Sequence, residues 1–248
     1  KTVKNIHGIL HRSLEIAVKL NFAKTNAADT VDRPRVERTE IKPLDEEQLV
    51  AFLSAIQNHK YHDIFTLAIF TGMRESEICG LPWDAVDFRQ GTIEVKQQLQ
   101  RQKGGKYVIV STKSGKPRTI RPAPSIMAML KDVQRKQFQN RQEAGDPWNN
   151  EFNLVFTKED GTNYTQRGIY KSFKTVAKHI GCPEARFHDL RHTYATISLS
   201  NGDDIKTVSE NLGHYAAAFT LQIYAHTTEA AQRRSAERME QFIKAVTA

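Results

Sequence analysis

The ten residues from Phe187 to Thr196, FHDLRHTYAT, set two histidines and an arginine at what reads as a helix start. His188 and Arg191 are three apart, so on a helix they share one side. Leu190, Tyr194 and Ile197 form a separate apolar stripe that anchors it. An arginine packed near a helix start needs an anion. That anion is either a protein carboxylate or a ligand phosphate. A second arginine, Arg74 in FTGMRESEICGL, follows a glycine-terminated apolar helix and opens the next one. Glu75 and Glu77 stand close enough in sequence to be ordinary ion-pair partners for it. Helix starts also present backbone N–H groups to anions, and two arginines so placed could grip a phosphate with their planar forks. Further along, ENLGHYAAAFTLQIYAHTT puts His214 after a helix-ending glycine and Tyr224 downstream among small residues. Taken singly, such a histidine reads as a capping or solvated group, and such a tyrosine as core.

The order of these pieces carries more than any one of them. TGMRESE, then HDLRHT, then LGH, then the tyrosine of IYAHTT resemble the tyrosine recombinase (phage integrase) family over about residues 40 to 228. The family pattern also carries a lysine in a β-hairpin after the first arginine. VIVSTKSGKPRTI supplies Lys113 at that place, with Lys106 and Lys116 as rivals because hairpin register is hard to fix from sequence. The resemblance implies DNA strand exchange through a covalent 3′-phosphotyrosine, and a Holliday junction. Arg74 and Arg191 would hold the charge that builds on the phosphate oxygens, with His214 as a further donor. Tyr224 would be the nucleophile, His188 the group that takes its proton, and Lys113 the acid that protonates the leaving 5′-oxygen. Glu77 would orient Arg74 or pack beneath it. His192 and His226 are left out of direct contact with the phosphate. Neither cofactor nor metal is expected, since the bond energy is kept in the phosphotyrosine and no carboxylate cluster of the two-metal kind stands out. A type IB topoisomerase-like enzyme and a catalytically silent DNA-binding relative are the alternatives.

The bulk properties agree with such a partner. Lys and Arg number 36 against 28 Asp and Glu, a net charge of +8 over 248 residues. A field of that sign favours polyanions, nucleic acid first. Lys4, Arg12, Arg118, Arg121 and Lys171 are candidate contacts to the DNA backbone, although a merely basic surface accounts for them equally well. No apolar run reaches the length of a membrane span, and the first residues are interrupted by charge, unlike a secretory leader. The two cysteines, Cys79 and Cys182, lack metal spacing and read as reduced core residues. The family implies double-stranded DNA sites, a homotetramer on two duplexes, DNA-bending or excision accessory proteins, and a DNA-associated life in the cytoplasm of a bacterial host.

The elements that must position these residues follow from periodicity. Residues 1 to about 22 read as an amphipathic helix with Val3, Ile6, Leu10, Leu14 and Ala17 on one stripe. With the polar linker after it, residues 1–36 look like the last part of a helical core-binding domain whose preceding helices, and any arm-binding module, are expected outside this sequence. Residues 37–228 would be the catalytic domain. Asp45 and Gln48 make a capping box, and Leu44 can staple against Leu49. Helices follow to about Gln57, over Tyr61 to Thr71, and in RESEICGL. GTIEVKQQL, KYVIVST and PRTIRP alternate and predict three strands, with LPWDAVDF before them as a turn. The rest is helical: 124–143, 164–180, 188–200, 204–212, 219–226, and a tail over 229–248 whose Met239, Phe242, Ile243 and Val246 suit a protomer contact. The expected fold is mainly α with a small three-stranded antiparallel β-sheet: a recombinase catalytic domain plus a fragment of a second, helical one.

Overall fold

The structure, a computed structural model, describes residues 2–32, 42–112, 115–213 and 229–247. These fall into two compact units, residues 1–40 and 41–248. The first is small. Helix α1, Thr2–Lys19, is tied to a 3-10 turn, Ala27–Thr30, by three polar contacts. Asn26 Nδ2 donates to the His11 carbonyl at 3.1 Å, His7 Nε2 lies 3.1 Å from the Ala28 carbonyl, and His11 pairs with Asp29 at 2.8 Å. The stripe predicted for α1 is largely uncovered: Val3, Ile6 and Leu10 are each more than half exposed.

The second unit begins at the predicted capping box. Asp45 Oδ1 accepts the Gln48 N–H at 2.8 Å, Gln48 Oε1 accepts the Asp45 N–H at 3.1 Å, and helix α2 runs Glu46–Ala55. Helix α3, His62–Thr71, is apolar on nearly every side and lies in the core. It stops at Gly72, whose φ of +64° is the left-handed conformation that ends helices without a Cβ clash. Helix α4, Glu75–Cys79, follows at once. After the strands come α5, Pro124–Ala144, α6, Gln166–His179, α7, Phe187–Ser200, and α8, Ile205–Leu212, then a terminal helix, Glu229–Thr247. Phe52, Phe65, Phe173 and Phe187, from α2, α3, α6 and α7, stack with ring centroids 5.6–6.1 Å apart. Each such pair adds about 0.5–1.5 kcal/mol beyond its buried area. This cluster fixes the start of α7 against α3.

The β structure differs from the expected single sheet of three strands. Among the described residues five strands form two sheets: β1, Val86–Asp87, β2, Thr92–Val95, and β5, Arg118–Ile120, pair antiparallel in the order β1-β2-β5, and β3, Gln97–Arg101, pairs with β4, Tyr107–Ser111. The run GTIEVKQQL therefore breaks at Lys96 and serves both sheets. The cause is α4. Its C-terminal Gly80 sits so close to the backbone of Gln98 and Leu99 that any Cβ there would collide, and Gln97 Nε2 donates to the Gly80 carbonyl at 2.9 Å. VDF, predicted as turn, supplies β1 because Val86 pairs with the buried Ile93. The helix expected over 219–226 lies outside the described residues.

Candidate phosphate-binding site

Three of the six residues expected to do chemistry are described, and they converge. Arg191, on the first turns of α7, is 3% exposed. Its Nη1 donates to the Gly72 carbonyl at 2.7 Å, and its Nη2 donates to the Leu212 carbonyl. One guanidinium thus joins the corner that precedes Arg74 to the end of α8, two residues before His214. The contact is close on all sides. A Cβ on Gly72 would lie 2.5 Å from Tyr194 Cδ1 and 2.7 Å from Leu212 Cδ2.

Arg74 caps α4. Glu77, one turn into the helix, accepts the Arg74 backbone N–H at 2.9 Å and its Nη1 at 2.6 Å. Among the described residues no partner takes the Arg74 Nε or Nη2, so those donors are available to an anion. Glu77 is itself 1% exposed, and a second guanidinium, that of Arg118, meets it end-on through Nη1 and Nη2 at 3.0 and 2.6 Å. Burial alone would raise the Glu77 carboxyl. Hydrogen bonding and charge from Arg118 foremost, and then from Arg74, overrule it and hold the group down at about 2. The start of α7 repeats this device: Asp189 accepts the Arg186 N–H at 2.8 Å and its Nη2 at 2.7 Å.

His188 keeps an open face to solvent, and its ring stands perpendicular to that of His192, centroids 4.9 Å apart. Desolvation of the ring, then the positive charge of Arg191 and Arg74, lowers its pKa below the ordinary histidine value. A neutral imidazole at pH 7 is able to accept a proton. His192, one turn deeper, is pushed down to about 4 by burial and by His188.

The remaining expectations divide. Lys113, His214 and Tyr224 lie outside the described residues. Arg121 and Lys171 are exposed, as a backbone contact requires. Lys4 and Arg12 are exposed on the first unit, Arg12 in an ion pair with Glu15 at 2.8 Å. Arg118 differs from its expected role as a surface contact: its side chain is 9% exposed and spent on Glu77 and on the Asn211 carbonyl at 2.7 Å. Sequence alone gave no hint of this, because a lone arginine opening a strand looks like any surface base. The described residues contain no cluster of three or more His, Cys, Asp or Glu able to hold a metal. No described helix is long and apolar enough to cross a membrane.

From its place in the sequence Glu75 is expected only to be an ordinary ion-pair partner of Arg74. In the structure its Oε1 is shielded from solvent and has no hydrogen-bond partner among the described residues, and burial raises the carboxyl to about 7. Between 4.5 and about 7 the folded chain then holds a proton that the unfolded chain has lost, so stability falls as pH rises through that window. Glu75→Gln is expected to raise stability by about 2 kcal/mol at pH 8 and by little at pH 4.5. Urea unfolding at the two pH values checks this, and an equal gain at both would mean that the carboxyl is not the cause.

Fold and site together define a mainly helical protein in which the buried Arg191 braces the corner that carries Arg74, with His188 on the same helix as Arg191. The chain belongs to the phage integrase family, whose model matches residues 42–231. It is 30% identical over 244 residues to a XerC-like tyrosine recombinase of Caldanaerobacter subterraneus subsp. tengcongensis, covering 91% of this chain and 62% of that protein. It is 27% identical to the transposase from transposon Tn916 of Enterococcus faecalis, covering 92% and 59%. The chain thus spans about three-fifths of the length of these relatives. Among solved structures, the Tn1549 transposon integrase in complex with a circular intermediate DNA superposes with a TM-score of 0.75 at 26% identity, over 96% of this chain and 79% of that one.

Proposed function

We propose that this chain is the DNA-cleaving and rejoining part of a site-specific recombinase of a mobile genetic element. The observation that carries the reading is the Arg191 guanidinium, which ties the Arg74 corner to the segment leading to His214. The names of its relatives, a tyrosine recombinase and a transposon's transposase, support it. The Tyr224 phenol, with an ordinary pKa near ~10, attacks the phosphorus as His188 takes its proton. Arg74, Arg191 and His214 hold the non-bridging oxygens, and Lys113 protonates the departing 5′-oxygen. One bond forms and one breaks, so the product is a 3′-phosphotyrosine beside a free 5′-hydroxyl. The 5′-hydroxyl of a second strand then reverses the step. Arg121 and Lys171, with Lys4 and Arg12 on the first unit, contact phosphates on either side. The tail over 229–248 joins protomers into a tetramer on two duplexes, and accessory proteins that bend the DNA set direction in the bacterial host.

The test is covalent trapping. The chain is incubated with a pool of nicked duplexes of randomised sequence, and SDS-resistant adducts are digested and mapped. The expected adduct is on Tyr224, and sequencing the trapped DNA gives the site. No adduct, or one on another residue, would overturn the reading. Binding to the recovered site should weaken with salt, log K falling by roughly 0.9 per neutralised phosphate.

A further inference from the structure

We propose that Arg118 is a positioning residue for the reaction, locking the Arg74–Glu77 corner and the Gly213 turn into a single geometry. The assignment rests on the strand-transfer reading above. Arg118 opens β5, yet its contacts leave the sheet. Nη1 and Nη2 donate to Glu77 Oε1 and Oε2 at 3.0 and 2.6 Å, and Nε donates to the Asn211 carbonyl at 2.7 Å. The same two oxygens accept from Arg74: Oε1 from Nη1 at 2.6 Å, and Oε2 from the backbone N–H at 2.9 Å. Each carboxylate oxygen is therefore shared by the two arginines. Glu77 cannot swing to release one without releasing the other.

At its other side Arg118 packs on the turn that leads to His214. Gly213 has a φ of +63°, and a Cβ there would lie 2.9 Å from Arg118 Cδ and 3.1 Å from its Nη1. The arginine fills the space that a side chain at 213 would occupy, and so sets the height of the turn. Every polar contact described for the Arg118 side chain runs to one of the two segments that flank the candidate phosphate-binding groups. A buried ion pair is weak evidence of stabilisation, since apolar replacements often serve as well. What the guanidinium supplies is direction: three donors in one plane, which a lysine's single ammonium cannot reproduce.

The experiment is a double-mutant cycle on the nicked site recovered by trapping, read as single-turnover cleavage with DNA affinity measured beside it. Arg118→Lys is expected to slow cleavage by about 10- to 100-fold while Kd changes by less than about threefold. In an Arg74→Lys background the same change is expected to cost clearly less than in the unmodified chain, because part of its effect runs through Arg74 and only the rest through the Gly213 turn. Penalties that simply multiply, a parallel loss of affinity, or a wild-type rate in Arg118→Lys would each overturn the assignment. If Arg118→Lys does not fold at the assay temperature by circular dichroism, Gly213→Ala, which crowds Arg118 from the turn and leaves every charge in place, is run through the same cycle. Absence of any adduct from the unmodified chain would instead sink the strand-transfer reading itself.

Discussion

Arg191→Ala is expected to lower single-turnover DNA cleavage by about 10²–10³-fold, the usual effect of removing one fixed donor from a developing oxyanion. The reason lies in how the side chain is held. Its Nη1 and Nη2 are anchored to the Gly72 and Leu212 carbonyls, so the guanidinium is set before substrate arrives, and no reorganisation is needed as charge builds. Alanine removes the charge and also strands two buried carbonyls, each worth about 1–3 kcal/mol when left unpaired. Stability should therefore fall as well, by a few kcal/mol in urea unfolding. Arg191→Lys separates the two effects. It keeps the charge, but one ammonium at the end of a flexible stem cannot span both carbonyls. Cleavage is expected to stay low in Arg191→Lys even where binding to the recovered site is near normal. Cleavage and affinity falling together by the same factor would make Arg191 a contact for DNA position only.

What the sequence made legible was what local rules govern. The Asp45–Gln48 box, the stop of α3 at Gly72 and the α7 start, expected at His188 and found at Phe187, follow from local chemistry within one turn. The order of TGMRESE, HDLRHT, LGH and the tyrosine of IYAHTT was enough to point to the family. The strand count was not legible, because the break at Lys96 is imposed by Gly80 pressing on Leu99, a contact across 19 residues whose only sign was one glycine. Arg74, His188 and Arg191 could be named as candidates from the sequence, but the contacts that hold them could not. Arg118 and Glu77 are 41 residues apart, and neither spacing nor periodicity can pair them. Glu75 and Glu77 show the same limit at short range. Both were candidate partners for Arg74, and burial decided between them, giving Glu77 two guanidiniums and leaving Glu75 protonated up to about 7.

Glu77→Ala is the change expected to damage the fold most. Removing one member of a buried ion pair typically costs about 3–5 kcal/mol, because the other charge stays buried without compensation. Here the deserted group is Arg118, 9% exposed and hemmed in by the Gly213 turn. Arg74 loses its carboxylate partner and the acceptor for its own N–H at the head of α4. The loss should depend on pH in a definite direction. The Glu77 carboxyl is held at about 2 against an ordinary 4.5, so its stabilising share is complete above 4.5 and fades as pH falls toward 2. The gap in unfolding free energy between the unmodified chain and Glu77→Ala should accordingly be widest at pH 6–8 and narrow by roughly half near pH 3. Glu77→Gln keeps an acceptor for the Arg74 N–H but gives up the charge, so it should fall between the two at neutral pH. Urea unfolding of the three proteins across that range measures this. A gap that does not change with pH would mean that packing, not charge, makes Glu77 necessary, and the two arginines would then have to be held apart by something other than the carboxylate between them.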